Sequence, residues 1–363
     1  MVVPSPMINP QADVAIIGAG VSGLAAAWRL SQAGIRSVVF EKSRGLSGRA
    51  ATRRTNGHHY DHGANFFRLD DPLVANLLQH ALSADGLVEI PGDVRTFDAK
   101  GIITPGDPTQ NAIPKWTYRD GISTLGKQLL AASPLTHVTR ETRITRIGKT
   151  NETWWLEGAN GDHLGSSQHL ILTIPPPQCA ELLRTSAIEA DLTALLDQIP
   201  YHPQFSFILG YDHPPLRNRD FHALVNSNGG HPLAWLSFEE DKPGHVAGEA
   251  SVMVAQMSPA WTTTHYETPP EKLLEDVVQI INDLLECKLP GPTWWDSQRW
   301  RYAHPVRINH PPASANVEDV HSAWRGCLAR NLHLAGDGLV GKGRIPLAIR
   351  SGLEAAERII ATP

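Results

Sequence analysis

The segment from Asp13 to Glu41 constrains the fold more than any other. Asp13–Gly18 (DVAIIG) is a short apolar, β-branched run ending in glycine, the pattern of a strand buried in a parallel sheet. Leu24–Ala33 has helical composition, Gly34 closes it, and Arg36–Glu41 (RSVVFE) supplies a second strand. Strand, helix and strand within about thirty residues make a βαβ unit. Where the first strand meets the helix lies Gly18-Ala19-Gly20-Val21-Ser22-Gly23, a GxGxxG. Its first glycine permits a tight turn, and its second lets a pyrophosphate approach the backbone. The third allows close helix–strand packing, and the helix N-terminus favours negative charge. Glu41 ends the second strand about twenty residues on, where a carboxylate accepts hydrogen bonds from ribose hydroxyls. A dinucleotide-binding domain is therefore expected, and the fingerprint alone leaves NAD and FAD both open.

Composition removes other classes. The 363 residues carry a formal net charge of -5, with 32 basic and 37 acidic residues interspersed, so no basic stripe is available for nucleic acid. Cys179, Cys287 and Cys327 match neither a metal spacing nor a redox pair, which fits a reducing, cytoplasmic setting. No window approaches the ~20 apolar residues of a membrane span, and residues 1–10 read as a flexible tail without the features of a signal peptide.

From Ser43 to Arg54 the chain is dense in Gly, Ser, Arg and Thr, a composition suited to a loop over a charged ligand, and the run Lys42-Ser43-Arg44-Gly45-Leu46-Ser47-Gly48-Arg49 directly follows Glu41. A helical stretch is expected near Pro72–Ala84 and short strands around Val88–Phe97. Leu135–Ile147, Trp154–Gly158 and His169–Ile174 read as strands, with the Pro175–Pro177 run ending that stretch. Alternating segments at Phe205–Tyr211, Leu233–Phe238 and Ala250–Gln256, then an amphipathic helix at Pro270–Glu286, predict an antiparallel sheet with a covering helix. His333–Gly336 reads as a last buried strand, Gly336-Asp337-Gly338 as the turn after it, and Pro346–Ile360 as a last helix.

At this point the sequence resembles the amine-oxidase-like flavoproteins. Their second motif has the form RxGGR, which Arg44, Gly48 and Arg49 resemble with Ser47 in place of one glycine and one extra residue after Arg44. The resemblance implies that Arg49 faces the FAD pyrophosphate, a task suited to a planar, always-charged fork. It implies that Gly336 and Asp337 meet the ribityl or pyrophosphate region, and that the start of the last helix, Arg344, Ile345, Pro346 and Ala348, points at the flavin edge where charge develops on reduction. Leu172-Thr173-Ile174-Pro175 resembles the family's strand-end motif near the dinucleotide, and backbone groups of Arg143 are implied at the adenine. The cofactor expected is non-covalent FAD, bound by the Gly18–Gly23 turn (including Ala19, Val21 and Ser22), Glu41, Lys42, the Arg44–Arg49 loop, Gly63, Ala64, Asn65, Thr173 and the C-terminal segment.

Several stretches are closer to the renalase-like branch: EKSRGLSGR, YDHGANFF at Tyr60–Phe67, LTIPPPQ, PLAWLSFEEDKPG and QRWRYAHP. That branch implies oxidation of dihydronicotinamide isomers by hydride transfer to flavin N5, with O2 as acceptor and hydrogen peroxide as product. Asn65 stands where the family has the glutamine of GAQY and is expected nearest the ring. Trp235, Trp300 and Tyr302 are the candidate pocket walls. His58, His59, Asp61 and His62 cluster in sequence, but the motif places them at the flavin, so no metal is expected. The alternatives are an amine oxidase, for which Lys242 offers a lysine although its Asp-Lys-Pro-Gly setting predicts an exposed turn, and a non-catalytic flavin or dinucleotide sensor. The fold expected is glutathione-reductase-like: a discontinuous FAD-binding α/β domain over residues 11–70, 135–180 and 298–363, and a mixed-sheet (α+β) substrate domain over 71–134 and 181–297.

Overall fold

The computed structural model describes residues 12–216, 219–306 and 330–361. The expected tail at 1–10 and Cys327 lie outside them. The chain divides into two compact units: residues 1–48, 125–200 and 305–363 make the first, and residues 49–124 and 201–304 the second.

The first unit is built on a five-stranded parallel sheet in the order Leu332–Leu334, His169–Leu172, Val14–Ile17, Ser37–Phe40, Thr136–Thr139. Val14–Ile17 and Ser37–Phe40 are buried at every position, which explains their apolar sequence; the one polar residue, Ser37, meets the Thr136 hydroxyl at 2.9 Å. The helix Val21–Gln32 starts at Gly20 and packs against the last helix, Ile345–Ile360. Their contact is close: a Cβ on Gly352 would lie 2.0 Å from the Ser22 carbonyl oxygen. A separate antiparallel sheet, Ile144–Thr150, Thr153–Gly158 and His163–Ser167, completes the strands of this unit among the described residues.

The expected Leu135–Ile147 strand is in fact two strands in two sheets. Glu141 has φ 54°, and the Thr142 amide donates to the Glu41 carbonyl, so the chain turns out of the parallel sheet before Ile144. Pro175–Pro177 likewise begins an element: Pro176–Thr185 is a helix with proline in its first turn, where the absent N–H leaves no intrahelical bond unmade.

The second unit carries a mixed seven-stranded sheet in the order Trp294–Pro305, Tyr201–Tyr211, Ser251–Met257, Leu233–Phe238, Phe221–Asn226, Asp93–Phe97, Ile103–Thr104. Alternation along its strands separates two faces. Phe205, Phe207, Leu236, Phe238, Met253 and Ala255 point to a core shared with Val277, Ile281 and Leu284 of the helix Leu274–Leu285. Ile208, Val252 and Val254 point the other way and pack on Tyr60.

Residues 49–70 fall in the second unit because the hairpin Thr52–Thr55/His58–Asp61 bonds into it, with the His59 amide donating to the His245 carbonyl 2.7 Å away. Residues 125–134 and 181–200 fall in the first, where Pro176–Thr185 packs on Ile144–Thr150, and 298–304 fall in the second as part of an edge strand of its sheet.

Gly352→Ala is expected to cost about 1–3 kcal/mol by overpacking the two-helix contact. A lower urea midpoint with an unchanged slope is the expected result.

Candidate functional site

All parallel strands end at the same edge of the first unit's sheet, and the sequence motifs converge there. Gly18 follows Val14–Ile17, Glu41 follows Ser37–Phe40, Thr173 follows His169–Leu172, and Gly336 follows Leu332–Leu334 by two residues. The Thr173 hydroxyl ties two of them together, lying within hydrogen-bond reach of the Ile17 and Gly18 carbonyl oxygens at 3.0 and 2.9 Å. On its other side the Ala335 amide donates to the Leu172 carbonyl at 3.0 Å.

The three fingerprint glycines have different reasons to be glycine. Gly18 has φ 109°, and a Cβ there would lie 2.8 Å from the Thr173 hydroxyl. A Cβ on Gly23 would lie 2.1 Å from the Gly18 carbonyl. Gly20 has φ -70°, open to any residue, and a Cβ there would meet nothing within 4 Å. The chain itself does not require a glycine at this point, and the space beside it is open. The helix that starts there has no acidic residue in its first turn to offset its positive end, and neither does the last helix at Ile345. Ala19, Val21 and Ser22 are buried behind the turn.

Glu41 is 8% exposed, and its carboxylate accepts from the Ala19 amide and the Ser43 amide, both at 2.8 Å. It therefore braces the glycine turn through two backbone amides. Ser47 takes φ 76° in the position where the RxGGR motif has glycine. Its amide donates to the Ala19 carbonyl at 2.8 Å, and the side chain fits because residue 126 is glycine: a Cβ there would lie 2.2 Å from Ser47 Oγ. A Cβ on Gly48 would lie 3.1 Å from Gly20 Cα, so the second motif lies against the first. Lys42 and Arg44 are exposed on this loop. Asp337 is buried at the start of a short 3-10 turn, the Gly336 amide is 3.0 Å from Ser351 Oγ, and Arg344, Ile345, Pro346 and Ala348 form the start of the last helix. Arg143 is exposed, precedes Ile144–Thr150 and pairs with Glu181 at 3.7 Å.

In the second unit the His62–Asn65 segment is held by side chains from four strands. The His62 carbonyl accepts from Ser206 Oγ at 2.9 Å and Trp300 Nε1 at 3.0 Å, and the Gly63 carbonyl accepts from Gln256 Nε2 at 2.6 Å. Asn65 donates to the Gly63 carbonyl at 3.2 Å and accepts from Ser237 Oγ at 3.0 Å. Residue 63 must be glycine, since a Cβ would lie 2.1 Å from the Arg49 carbonyl, which also receives the Ala64 amide at 2.9 Å. The His62 ring stacks on Trp300 with centroids 5.4 Å apart, and burial pushes its pKa down to about 4, so it is neutral at ordinary pH. Trp235 packs on Phe66, and its buried indole N–H has no partner among the described residues. Tyr302, two residues from Trp300, meets Tyr201 edge-on, and the Arg49 guanidinium lies 5.6 Å from that Tyr201 ring while donating to the Ala303 carbonyl.

Sequence reasoning missed Ser206, Ser237 and Gln256. Their signal was a polar residue at an inward position of an otherwise apolar strand.

It also placed Lys242 wrongly. The side chain is fully buried rather than exposed on a turn, 3.0 Å from Asp61 Oδ2 and 2.8 Å from Glu239 Oε1. The turn through Glu239–Asp241 sets Glu239, Lys242 and His245 three residues apart, so all three reach the same interior point. Asp61, Glu239 and His245 have a donor set that suits a divalent ion, but here the Lys242 ammonium supplies the cation. Burial would raise the Asp61 pKa, yet the charges of Lys242 and His245 outweigh it and hold the carboxyl low. Burial would lower those of Lys242 and His245, and the two carboxylates outweigh it in the opposite sense.

The first unit is thus a dinucleotide-binding module whose ligand-facing groups gather at the carboxyl edge of a parallel sheet. Residues 101–360 match the family described as flavin containing amine oxidoreductase, and residues 16–81 match an NAD(P)-binding Rossmann-like domain. The chain belongs to the flavin-containing amine oxidoreductase family, a family of FAD-dependent oxidoreductases, and the cradle described above fits FAD. It is 43% identical over 65 residues to protoporphyrinogen oxidase 2 (chloroplastic/mitochondrial) of Arabidopsis thaliana, a match covering 18% of this chain and 13% of that protein. This chain therefore aligns with only a small part of that curated relative. In fold it is similar to a protein designated a protoporphyrinogen oxidase from Exiguobacterium sp. 255-15, with TM-score 0.80, 16% identity and coverage of 98% of this chain and 100% of that one. It is similar too to cyclohexylamine oxidase from Brevibacterium oxydans IH-35A, with TM-score 0.73, 15% identity and coverage of 97% and 99%. Among the described residues no helix is long and apolar enough to cross a membrane.

The pKa directions set a pH window for stability. The His245 pKa is raised above its ordinary 6.5, so its contribution is complete below that value and is lost as pH rises through the folded-state value. The Asp61 pKa is depressed below 3.8, so its contribution is present above that value and is lost as pH falls through the folded one. His245→Gln is expected to lower the urea midpoint most near about pH 6, with the gap from wild type narrowing toward alkaline pH.

Proposed function

We propose that the chain is a renalase-like, FAD-dependent oxidase that takes hydride from dihydronicotinamide dinucleotide isomers. The observation that carries the cofactor reading is Gly20: it faces open space at the positive end of a helix and at the meeting point of the parallel strand ends. FAD, held non-covalently, supplies a two-electron acceptor that O2 can reoxidise. In the overall reaction the donor loses hydride to become an aromatic nicotinamide cation, and oxygen takes the two electrons and two protons to give hydrogen peroxide.

The donor class is supported by what the second unit offers. Hydride loss that generates an aromatic cation needs no strong base, so positioning and exclusion of water are the protein's main contributions. The His62–Asn65 segment and the Trp235, Trp300 and Tyr302 rings supply flat apolar faces and a fixed amide, His62 is neutral, and the Lys242 ammonium is committed to two carboxylates. In this reading the rings stack on the nicotinamide, Asn65 orients its edge, Glu41 holds the adenosine ribose, and Arg49 meets the pyrophosphate.

A second reading, oxidation of a small amine, is favoured by family membership and by the fold likeness to cyclohexylamine oxidase.

Anaerobic mixing of the yellow holoprotein with 2- and 6-dihydro isomers, ordinary NADH and small primary amines separates the readings. Bleaching by the isomers at least ~10²-fold faster than by NADH, then recovery and peroxide on admitting air, is the expected result. Bleaching by amines alone establishes the second reading, and bleaching by none of them removes both. Glu41→Ala and Arg49→Ala are each expected to weaken FAD retention by about 1.5–3 kcal/mol, read as flavin lost on dialysis. Glu41→Ala also leaves the Ala19 and Ser43 amides without their acceptor.

A further inference from the structure

We infer that Asp61, Glu239, Lys242 and His245 form a net-neutral buried quartet whose function is to fix the His62–Asn65 segment, with Lys242 and His245 acting as positioning residues. The inference rests on the reading above, in which that segment faces the hydride donor.

All four side chains are fully buried. Asp61 Oδ1 accepts from the Thr52 hydroxyl at 2.7 Å and the Ile122 amide at 3.0 Å, and Oδ2 accepts from Lys242 at 3.0 Å and from the Thr117 hydroxyl at 3.3 Å. Glu239 Oε2 accepts from the backbone amide of Asp61 at 3.1 Å and from His245 Nδ1 at 2.9 Å. His245 Nε2 lies 3.0 Å from the Tyr118 carbonyl oxygen. Both ring nitrogens therefore face oxygens that only accept, and a neutral imidazole has one N–H. The geometry requires an imidazolium, and two carboxylates with two cations then sum to zero charge.

The mechanical link is direct. Asp61 ends the strand His58–Asp61, is gripped through both its carboxylate and its amide, and is followed at once by His62. The quartet fixes where the segment leaves the strand, and Ser206, Trp300, Gln256 and Ser237 fix where it runs. His59 meets the His245 ring edge-on at 6.4 Å, His222 senses the Lys242 charge and lies 3.6 Å from Asp241, and His62 senses Asp61, Glu239, Arg53 and Asp296. Burial lowers the pKa of all three histidines, which favours their neutral forms and leaves most of the local charge to the quartet.

Lys242→Met leaves one uncompensated negative charge, which the protein can relieve by taking up a proton. The variant's anaerobic flavin-reduction rate, normalised to bound flavin, is expected to approach wild type near about pH 6 and to fall ~10²-fold by about pH 9, the loss typical of a small displacement of reacting groups. Wild type should show such a limb only at higher pH, where His245 gives up its proton, and the neutral double variant Lys242→Met/Asp61→Asn should lack the limb of the single variant. A Lys242→Met profile parallel to wild type, or a limb that the double variant retains, overturns the inference. Nitrogen NMR of wild-type protein with labelled histidine needs no variant: His245 is expected doubly protonated at about pH 7.5, and a neutral ring also overturns it. If wild-type holoprotein is reduced by no donor, the functional reading fails instead, and the NMR result still judges the quartet.

Discussion

Parallel strands all end on the same edge, and the rest of the first unit depends on that constraint. Gly18, Glu41, Thr173 and Gly336 are scattered over more than three hundred positions of sequence, yet each directly follows a strand of one sheet or stands within two residues of its end. The Thr173 hydroxyl, placed to bond the Ile17 and Gly18 carbonyls, makes this common edge one hydrogen-bonded surface. Two helix N-termini without acidic first-turn residues add positive potential there, so affinity for a doubly charged pyrophosphate follows from backbone geometry before any side chain is counted.

The second unit solves a different problem. Its sheet commits one face to a hydrophobic core under a helix and divides the other between a small apolar cluster on Tyr60 and polar control of a single short segment. That control uses neutral hydrogen bonds along the segment and a charged cluster only at its root. Burying four charges is costly, and such an arrangement persists only with close ion pairs and added hydrogen bonds. Tyr118, Thr52, Thr117 and Ile122 supply such bonds from two stretches of chain, one at residue 52 and one at 117–122.

Local rules read the first unit well. A βαβ unit with a glycine turn announces itself because each feature, from β-branched strand to terminal carboxylate, lies within one short window. The closing Gly336-Asp337 turn and the last helix were legible for the same reason. The reading of Leu135–Ile147 as one strand failed because β-propensity does not record which sheet a residue joins, and the break depends on a left-handed Glu141 and a hydrogen bond to distant Glu41. Lys242 was misread because Asp-Lys-Pro-Gly does describe a turn, and nothing in a turn's sequence tells which way a lysine points.

The sequence by itself determined the dinucleotide fold, its phosphate-facing turn and the family, since these rest on backbone conformations that only certain residues near one another permit. Tertiary structure alone decided that Ser47 could stand for a glycine, because the room it needs is made by Gly126, and that Lys242 is an internal counter-ion. Steric room and charge balance are properties of groups brought together from far apart in the chain, and only the folded arrangement specifies which groups those are.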